Sequence, residues 1–384
     1  MDIARRPAPW ITEELEMFRA SVRGLIRRHF TPELEAWLAR GIVDREAWRI
    51  AGEAGLLCVS MPTEYGGGGG TFAHDCVIVE ELEYAGFGIG FSVALHNAIV
   101  APYIRDFGSE AQKARWLPAM ARGEIVGAVA MTEPGAGSDL QAISTRAVRD
   151  GDTFRIDGQK TFISNGQLAD LVLTVCTTEP GAGAKGLSLI GVEADAPGFA
   201  RGRKLDKIGL HMSDTSELFY DGAVVPTDNL LGGTEGRGFA MLMHELPQER
   251  LVIAVGAVAA MERALALTLD YVRQRKAFGK TVADFQNSQF ALAECRTEIA
   301  AARAFVDDCI RLHLEGALDA ATASMAKLWC TERQGIVIDR CLQLFGGNGF
   351  MADYPIGRMF VDARVQRIYG GTSEIMKLLI ARSL

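Results

Sequence analysis

The sequence predicts a mainly helical protein with a central β domain, in the order helices, sheet, helices. Apolar residues recur three and four positions apart across residues 12–122, as on one face of a helix. Short apolar runs separated by glycine-containing turns fill residues 124–229, and helical spacing then returns. We therefore predict domains at 1–123, 124–233 and 234–384, because a chain of 384 residues is long enough for two or three packed units.

The first region begins with an amphipathic helix whose predicted buried face carries Leu15, Phe18, Val22, Leu25 and Ile26. Five consecutive glycines at residues 66–70 interrupt the helical pattern. They could be taken for a phosphate-binding loop, but such a loop follows a strand and opens onto a helix N-terminus. We expect a flexible loop between two helices instead.

The middle region is predicted to contain strands at residues 153–156, 171–175 and 187–192. Tight turns are expected to join such strands, and the sequence offers three candidate pairs, Asp150-Gly151, Asp157-Gly158 and Asn165-Gly166. Beyond the middle region, a long helix is predicted from one apolar stripe formed by Leu251, Val255, Val258, Met261, Leu265, Leu269 and Val272.

Composition excludes some classes of function. The net charge of −8 and the pI near 5.4 argue against a nucleic-acid surface, which needs clustered Lys and Arg. The seven cysteines are odd in number, scattered and never arranged as Cys-x-x-Cys, so we interpret them as reduced core thiols of a cytosolic protein. Residues 1–10 lack the apolar run of a secretory signal, and no run of ~20 apolar residues is present to span a membrane. We expect a cytoplasmic protein without a membrane span.

Two segments carry the first chemical signal: MTEPGAGSD at residues 131–139 and KTFISNG at residues 160–166. In this order they closely resemble the flavin-binding sheet of acyl-CoA dehydrogenases, flavoenzymes that desaturate acyl thioesters. The resemblance implies FAD as cofactor, and it places at the flavin ring Met131, Thr132, Phe162 and Ser164. It also places Ser138 along the thioester. The alternative is an ordinary hairpin, which would explain Asn165-Gly166 but not the pairing of the two segments.

The resemblance extends from the first helices to Arg382, with its motifs in the right order. It implies the acyl-CoA dehydrogenase fold, with an N-terminal helical domain, a middle β-barrel-like domain and a C-terminal four-helix bundle. It also implies a homotetramer, because some residues of the family contact FAD bound to a neighbouring subunit.

A basic cluster, RQRKAFGK at residues 273–280, follows the long apolar stripe. By the resemblance, Arg275 and Phe278 reach the pyrophosphate and adenine side of FAD in the neighbouring subunit, with Gln286 close by. A guanidinium suits a diphosphate because its charge is permanent and its donors form a planar fork. Ala277 stands where many members carry a hydroxyl residue. The alternative is a solvated helix end whose cations complement the helix dipole, which leaves Phe278 unexplained.

Two C-terminal segments complete the predicted cofactor site. The turn LQLFGGNGF at residues 342–350 resembles a segment in which Gln343 and Gly347 contact the adenine half of the flavin. Glycines there allow close approach of the backbone. In the tail, Thr372 and Glu374 match positions that contact the flavin, and Arg382 matches an arginine near the CoA end of the site.

The predicted base depends on two distant positions. Gly370 stands where many acyl-CoA dehydrogenases carry the catalytic glutamate, and it can supply only its backbone N–H, which in the family helps to bind the thioester oxygen. Members related to long-chain acyl-CoA and isovaleryl-CoA dehydrogenases place the base on an earlier helix, where Glu249 lies beside Arg250, a match to a substrate-side arginine. A carboxylate desolvated against flavin and acyl chain is an effective base. The alternative is that Pro247 marks a helix start, where Glu249 merely complements the dipole.

These observations predict an FAD-dependent acyl-CoA dehydrogenase. It would convert an acyl-CoA thioester to the trans-2-enoyl-CoA and pass electrons to an electron-transfer flavoprotein. Two alternatives stay open: a flavin oxidase or monooxygenase on the same fold, and a non-catalytic subunit of a mixed tetramer. No metal site is predicted.

Overall fold

The computed structural model describes residues 8–86 and 92–384, and the predicted order of helices, sheet and helices is confirmed. The first region comprises α1 Glu13–Leu25, α2 Leu34–Arg40, α3 Arg45–Glu53, α4 Phe72–Tyr84, α5 Val93–Leu95, α6 Ala101–Phe107 and α7 Glu110–Ala121. A π-helical turn, His96–Val100, joins α5 to α6.

The glycine run lies between helices, as predicted, just before α4. Its glycines pack tightly, which the prediction of a flexible loop did not anticipate. A Cβ atom on Gly67 would lie 2.3 Å from the carbonyl oxygen of Met61, and one on Gly68 would lie 2.8 Å from that of Val59. Neither position has room for a side chain without movement of the backbone.

The middle region forms a seven-stranded sheet. Its strands are β1 Gly127–Ala130, β2 Arg146–Asp150, β3 Thr153–Ser164, β4 Leu171–Thr177, β5 Leu187–Glu193, β6 Phe199–Lys204 and β7 Thr215–Pro226. They pair in the order β1-β4-β2-β3-β7-β6, with β5 antiparallel to β4. The sheet is curled but not closed, since no pairing between β6 and β1 or β5 occurs among the described residues.

The structure confirms the three predicted strands and corrects two of the three predicted turns. Asp150 pairs with Thr153 across a tight hairpin, as expected at Asp150-Gly151. Asp157-Gly158 instead lies inside β3, at a bulge in its pairing with β7. Asn165-Gly166 follows β3, but β4 does not pair with β3, so these residues do not close a hairpin. Asn165-Gly166 does form a turn, but the strand partner of β3 lies too far along the chain to be predicted from local sequence.

The last region contains three long helices and two short ones. They are α8 Gly238–Gln274, α9 Gln286–Leu314, α10 Ala320–Phe345, α11 Pro355–Ala363 and α12 Ser373–Ala381, with the short strands β8 Lys276–Ala277 and β9 Lys280–Thr281 between α8 and α9. Helix α8 packs against α4, α6, α9 and α10. Its apolar residues join a core cluster shared by the first and last regions.

Helix α8 begins nine residues before Pro247, so the prediction of a helix start at Pro247 is wrong. Burial of most of the helix surface stabilises it in spite of the internal proline. By length and composition alone α8 could cross a membrane, but 78% of its most apolar window is buried inside the protein. Core helices of this kind meet the same criterion.

Candidate active site

Glu249 lies in the interior of α8 and is only 5% exposed. Its carboxylate Oε1 accepts a hydrogen bond of 2.7 Å from the hydroxyl of Tyr103 on α6. The preceding residue, Gln248, holds the same turn of α8 by donating from its side chain to the carbonyl oxygen of Ala98 at 2.7 Å. Because Glu249 is buried far from either end of α8, it cannot serve as a helix-terminal carboxylate, and the alternative interpretation of this residue is wrong.

The environment of Glu249 gives its carboxyl group an intermediate acidity. Burial raises its pKa to about 7, while the hydrogen bond from Tyr103 and the charge of Arg250 act in the opposite direction. A group of this pKa is present as the base near neutral pH and can still take up a proton. It thus has the acidity that proton abstraction requires.

A second acidic group lies one turn earlier on the same helix. Glu245 is buried, and burial together with neighbouring Asp106 raises its pKa to about 9. Near neutral pH it therefore adds no second negative charge beside Glu249. Possible ligand atoms of Asp106, His244 and Glu245 lie within 4.8 Å of one another, but Arg105 already neutralises Asp106 through two hydrogen bonds of 2.6 and 2.7 Å.

Arg250 points its guanidinium towards α10. Its Nη1 donates to the hydroxyl of Ser324 at 3.4 Å, and its buried Nε has no hydrogen-bond partner among the described residues. Burial lowers the pKa of Arg250, and it also lowers that of nearby Lys327 to about 8. The site thus contains two buried cationic groups, one of which has a donor left for a ligand.

Gly370 lies against the face of α8 that carries Glu249. A Cβ atom on Gly370 would be 2.6 Å from Cδ1 of Ile253, which follows Glu249 by one helical turn. The backbone of Gly370 has φ = +62°, a conformation that favours glycine. Its N–H has no hydrogen-bond partner in the described parts of the chain. Gly370 therefore packs one helical turn from Glu249, against a residue on the same face of α8.

Side chains of α10 hold the tail in this place. The ammonium group of Lys327 donates to the carbonyl oxygen of Gly371. Glu332 accepts hydrogen bonds from Ser373 at 2.6 Å and from Arg367 at 3.2 Å. Thr372 caps α12 by accepting from the N–H of Ile375 at 3.3 Å. Four hydrogen bonds thus hold the tail: that of Arg367 lies before Gly370 in the chain, and the other three lie after it.

Of the remaining tail residues, Glu374 lies exposed in the first turn of α12, and Arg382 lies exposed at its end. Hydrogen bonds from its own backbone N–H and from the Thr372 side chain, together with the charge of Lys377, lower the pKa of Glu374, which is thus ionised at neutral pH. The structure brings Glu374 close to Gly370 along the chain, whereas Arg382 lies two turns of helix away.

The two segments predicted to hold the flavin ring lie side by side. The N–H of Thr161 donates to the carbonyl oxygen of Thr132 at 2.9 Å, which brings Met131 and Thr132 next to Phe162. Ser164 ends the same strand. Phe162 is 68% exposed and has φ = +60°, an unfavourable conformation for this residue. Its uncovered ring fits a stacking partner such as flavin. Ser138 lies exposed in the loop that follows β1.

A buried ion pair that the sequence analysis missed supports these segments. The Nζ of Lys160 lies 2.8 Å from Oε1 of Glu133 and donates to the carbonyl oxygen of Met131 at 3.0 Å. Burial alone would raise the pKa of Glu133, but Lys160 and hydrogen bonds from Ser144 and Thr145 lower it to about 2. The pair therefore keeps both charges and fixes the first segment to β3.

The residues predicted for the adenine side gather at the far end of α8. Arg275, Phe278 and Gln286 are all exposed around the β8–β9 hairpin, and Phe278 is 95% exposed with φ = +52°. Among the described residues, Arg275 has no acidic partner. A free guanidinium beside an uncovered aromatic ring fits a diphosphate and an adenine.

The glycine turn after α10 lies next to this cluster. The ring of Phe345 stacks on Tyr271 of α8 at 4.2 Å, and the hydroxyl of Tyr271 accepts from Nδ2 of Asn348 at 2.9 Å. Gln343 near the end of α10 and Gly347 in the turn are both exposed, and Tyr271, which the turn contacts, precedes Arg275 by four residues. Two of the predicted cofactor segments, residues 273–280 and 342–350, therefore lie side by side within one chain.

Within one chain, the residues predicted for the adenine side of FAD lie far from the predicted base, Glu249. Arg275 follows Glu249 by 26 residues of helix, or about 39 Å. The sequence analysis did not identify three residues of this site. Tyr103 on α6 and Lys327 on α10 reach Glu249 and the tail from other helices, and Glu245 precedes Glu249 by one turn of α8. Their roles depend on tertiary packing, and no local pattern in the sequence distinguishes them from other buried side chains.

Comparisons with known proteins agree with this arrangement. Three family descriptions match in succession: "Acyl-CoA dehydrogenase, N-terminal domain" at residues 12–124, the middle domain at 128–223 and the C-terminal domain at 236–384. The chain is 49% identical over 376 residues to the long-chain specific acyl-CoA dehydrogenase of Sus scrofa mitochondria, covering 97% of this chain and 87% of the relative.

Solved structures show the same fold. An acyl-CoA dehydrogenase from Geobacillus kaustophilus superposes with a TM-score of 0.96 at 50% identity, covering 98% of this chain and 99% of the other. A glutaryl-CoA dehydrogenase from Mycobacterium smegmatis in complex with FADH2 superposes with a TM-score of 0.91 at 28% identity, covering 97% and 95%. The chain therefore belongs to the acyl-CoA dehydrogenase family of FAD-binding oxidoreductases.

Proposed function

We propose that this protein oxidises an acyl-CoA thioester to the trans-2-enoyl-CoA, with Glu249 as the base that removes the α-proton. The observation that supports the proposal most is the contact of Gly370 with Ile253, one helical turn from Glu249 on α8. A buried carboxyl group with a pKa of about 7 lies one turn from Ile253, against which the tail glycine packs. A base on the helix and a small residue in the tail are complementary halves of one site.

Gly370 supports the reaction through its backbone. Removal of the α-proton places negative charge on the thioester oxygen, which needs hydrogen-bond donors in a site from which water is excluded. The unpaired N–H of Gly370 is such a donor, and the contacts of Lys327 with Gly371 and of Thr372 with Ile375 hold the backbone that follows it. The free Nε of Arg250 offers a further donor on the substrate side.

FAD would be held by the residues around the exposed rings of Phe162 and Phe278 and by residues of the C-terminal tail. Met131, Thr132, Phe162 and Ser164 would bind the ring, and Thr372 and Glu374 would approach it from the tail. The chemistry that FAD supplies when bound is acceptance of the β-hydride at N5. Ser138 and Arg382 would contact the thioester and the CoA moiety.

The adenine-side residues support a proposed homotetramer. Because Arg275 lies about 39 Å along α8 from Glu249, we propose that Arg275, Phe278 and Gln286 serve the FAD of a neighbouring subunit. Gln343 and Gly347 join them on the same surface. We also propose an electron-transfer flavoprotein as the electron acceptor and a medium, long or branched acyl chain as the substrate, since the long-chain relative is about half identical to this chain.

The test is substitution of the base. Glu249→Gln should retain FAD but abolish bleaching of the flavin when acyl-CoA is added without oxygen, because the amide cannot take up the α-proton. Asp75→Asn is the matched control: it also removes a buried carboxyl group with a pKa of about 7, yet on α4, and should bleach normally. Bleaching of Glu249→Gln at the wild-type rate would show that another group is the base.

The same measurement, made with acyl-CoAs of graded length and branching, identifies the substrate class. Rapid bleaching by medium or long chains alone is the expected result. Oxygen consumption by the reduced enzyme without an added acceptor would instead support an oxidase.

A further inference from the structure

Tyr103 makes the one hydrogen bond to the Glu249 carboxylate that occurs among the described residues. The tyrosine is completely buried, and its hydroxyl oxygen lies 2.7 Å from Oε1. It stands on α6, in the first helical region, whereas Glu249 lies 146 positions further on, in α8. The contact therefore joins two regions of the protein at the proposed base.

We infer that Tyr103 is the positioning residue of Glu249, holding its carboxylate in one orientation and stabilising the ionised form. This inference rests on the proposed function. A glutamate side chain has several rotatable bonds, and a buried hydrogen bond from a rigid phenol ring selects one of its orientations. A hydrogen bond to a charged acceptor in a buried site is also stronger than one between neutral groups.

The other charged groups around Glu249 cannot replace this contact. Those that face it or its immediate neighbours are Arg105 and Asp106 on α6, Glu245 and Arg250 on α8, His313 on α9 and Lys327 on α10. His313 bonds to Gln248 at 3.0 Å, and Arg250 bonds to Ser324. The charge of Arg250 acts on Glu249 from a distance and does not fix its orientation, while Glu245 and His313 are neutral near pH 7.

The hydroxyl group suits both protonation states of the base. Before the reaction it donates its hydrogen to the carboxylate. When Glu249 has taken the α-proton, the carboxylic acid can donate instead, and the hydroxyl oxygen accepts. Burial and the charge of Glu249 raise the pKa of Tyr103 well above its usual value, so the phenol keeps its own proton throughout. The proton balance of the proposed reaction is unchanged.

The experiment compares Tyr103→Phe with Tyr220→Phe over pH 5.5 to 9.5. Tyr220 is also buried, but its hydroxyl pairs with neutral Thr174 at 2.8 Å in the sheet core. In Tyr103→Phe, the midpoint of the acid limb of flavin reduction by acyl-CoA should rise by about one unit. The rate should fall about tenfold at pH 6 and stay within about twofold of wild type at pH 9. Tyr220→Phe should retain the wild-type midpoint.

A second measurement does not depend on turnover. In the FAD-loaded protein, the infrared C=O band of a protonated carboxyl, isolated by subtracting the Glu249→Gln spectrum, should titrate at higher pH in Tyr103→Phe than in wild type. An unchanged infrared midpoint or an unchanged acid limb overturns the inference, while loss of bleaching in Glu249→Gln leaves the proposed function intact. If Glu249→Gln bleaches normally, the base assignment itself fails. A tyrosine that only supports folding would lower the rate equally at all pH values.

Discussion

Glu249 has different acidities in the folded and unfolded chain, and this difference affects stability. Its pKa rises from the ordinary value of 4.5 to about 7 on folding, because burial disfavours the charged form. Between these values the folded state binds more protons than the unfolded state, so the contribution of Glu249 to stability falls as pH rises from 4.5 to 7. Above pH 7 the ionised group remains destabilising.

Glu249→Gln should therefore become more stable relative to wild type as pH rises. The gain at pH 8 should be at most on the order of 3 kcal/mol, from which the buried amide subtracts part, and it should vanish near pH 5. Thermal unfolding of both proteins at pH 5 and pH 8 measures it. Parallel changes of the two melting temperatures would mean that the pKa of Glu249 is not raised in the folded protein.

At the scale of single elements, the buried pair of Lys160 and Glu133 joins β3 to the segment after β1. Lys160→Met should destabilise the protein by about 3–5 kcal/mol, because it leaves an unpaired buried carboxylate. It should also reduce FAD content, since Met131 and Thr132 lose their anchor. Thermal unfolding and the ratio of flavin to protein absorbance measure both effects.

A matched control for this prediction is Lys113→Met. Lys113 pairs with Glu110, which is mostly exposed, so its loss should cost less than about 1 kcal/mol and leave FAD content unchanged. Adding Glu133→Gln to Lys160→Met should recover part of the stability by removing the unpaired charge. Equal effects of Lys160→Met and Lys113→Met would contradict a special role for the buried pair.

Elements with local signals were predictable from the sequence, and their partners were not. The strands at 153–156, 171–175 and 187–192 were identified because apolar runs and turn residues are adjacent in the chain. The start of α8 was misplaced because tertiary burial keeps the helix intact through Pro247. Asn165-Gly166 was taken for a hairpin because its true neighbours in the sheet lie some 50 residues away.

The candidate site shows the same limit. Glu249 and Gly370 could be paired from the sequence only through a family resemblance, since 121 positions separate them. Tyr103 and Lys327 carry no signal of their own, because a buried tyrosine and a lysine in a helix are ordinary residues until packing brings them to the site.

At the scale of the whole molecule, the position of Arg275, Phe278 and Gln286 predicts that FAD binding depends on the association of subunits. Arg275→Ala should lose most of its FAD while its helical content stays unchanged, because the exposed guanidinium has no structural partner in the described chain. Arg273→Ala, which removes a nearby exposed cation at the end of α8, should retain FAD. Flavin absorbance, circular dichroism and sedimentation velocity measure these outcomes. Full FAD content in a monomer would contradict a site shared between subunits.

The contact between Gly370 and Ile253 also bears on how this family could change over evolution. A glutamate at position 370 would meet the Ile253 side chain and would have to adopt a left-handed backbone. Transfer of the base from helix to tail therefore needs a new carboxylate at 370, loss of the old one at 249 and a shift of the flexible end of the Ile253 side chain. At least two substitutions therefore separate the two arrangements, and lineages are expected to keep the one they inherited.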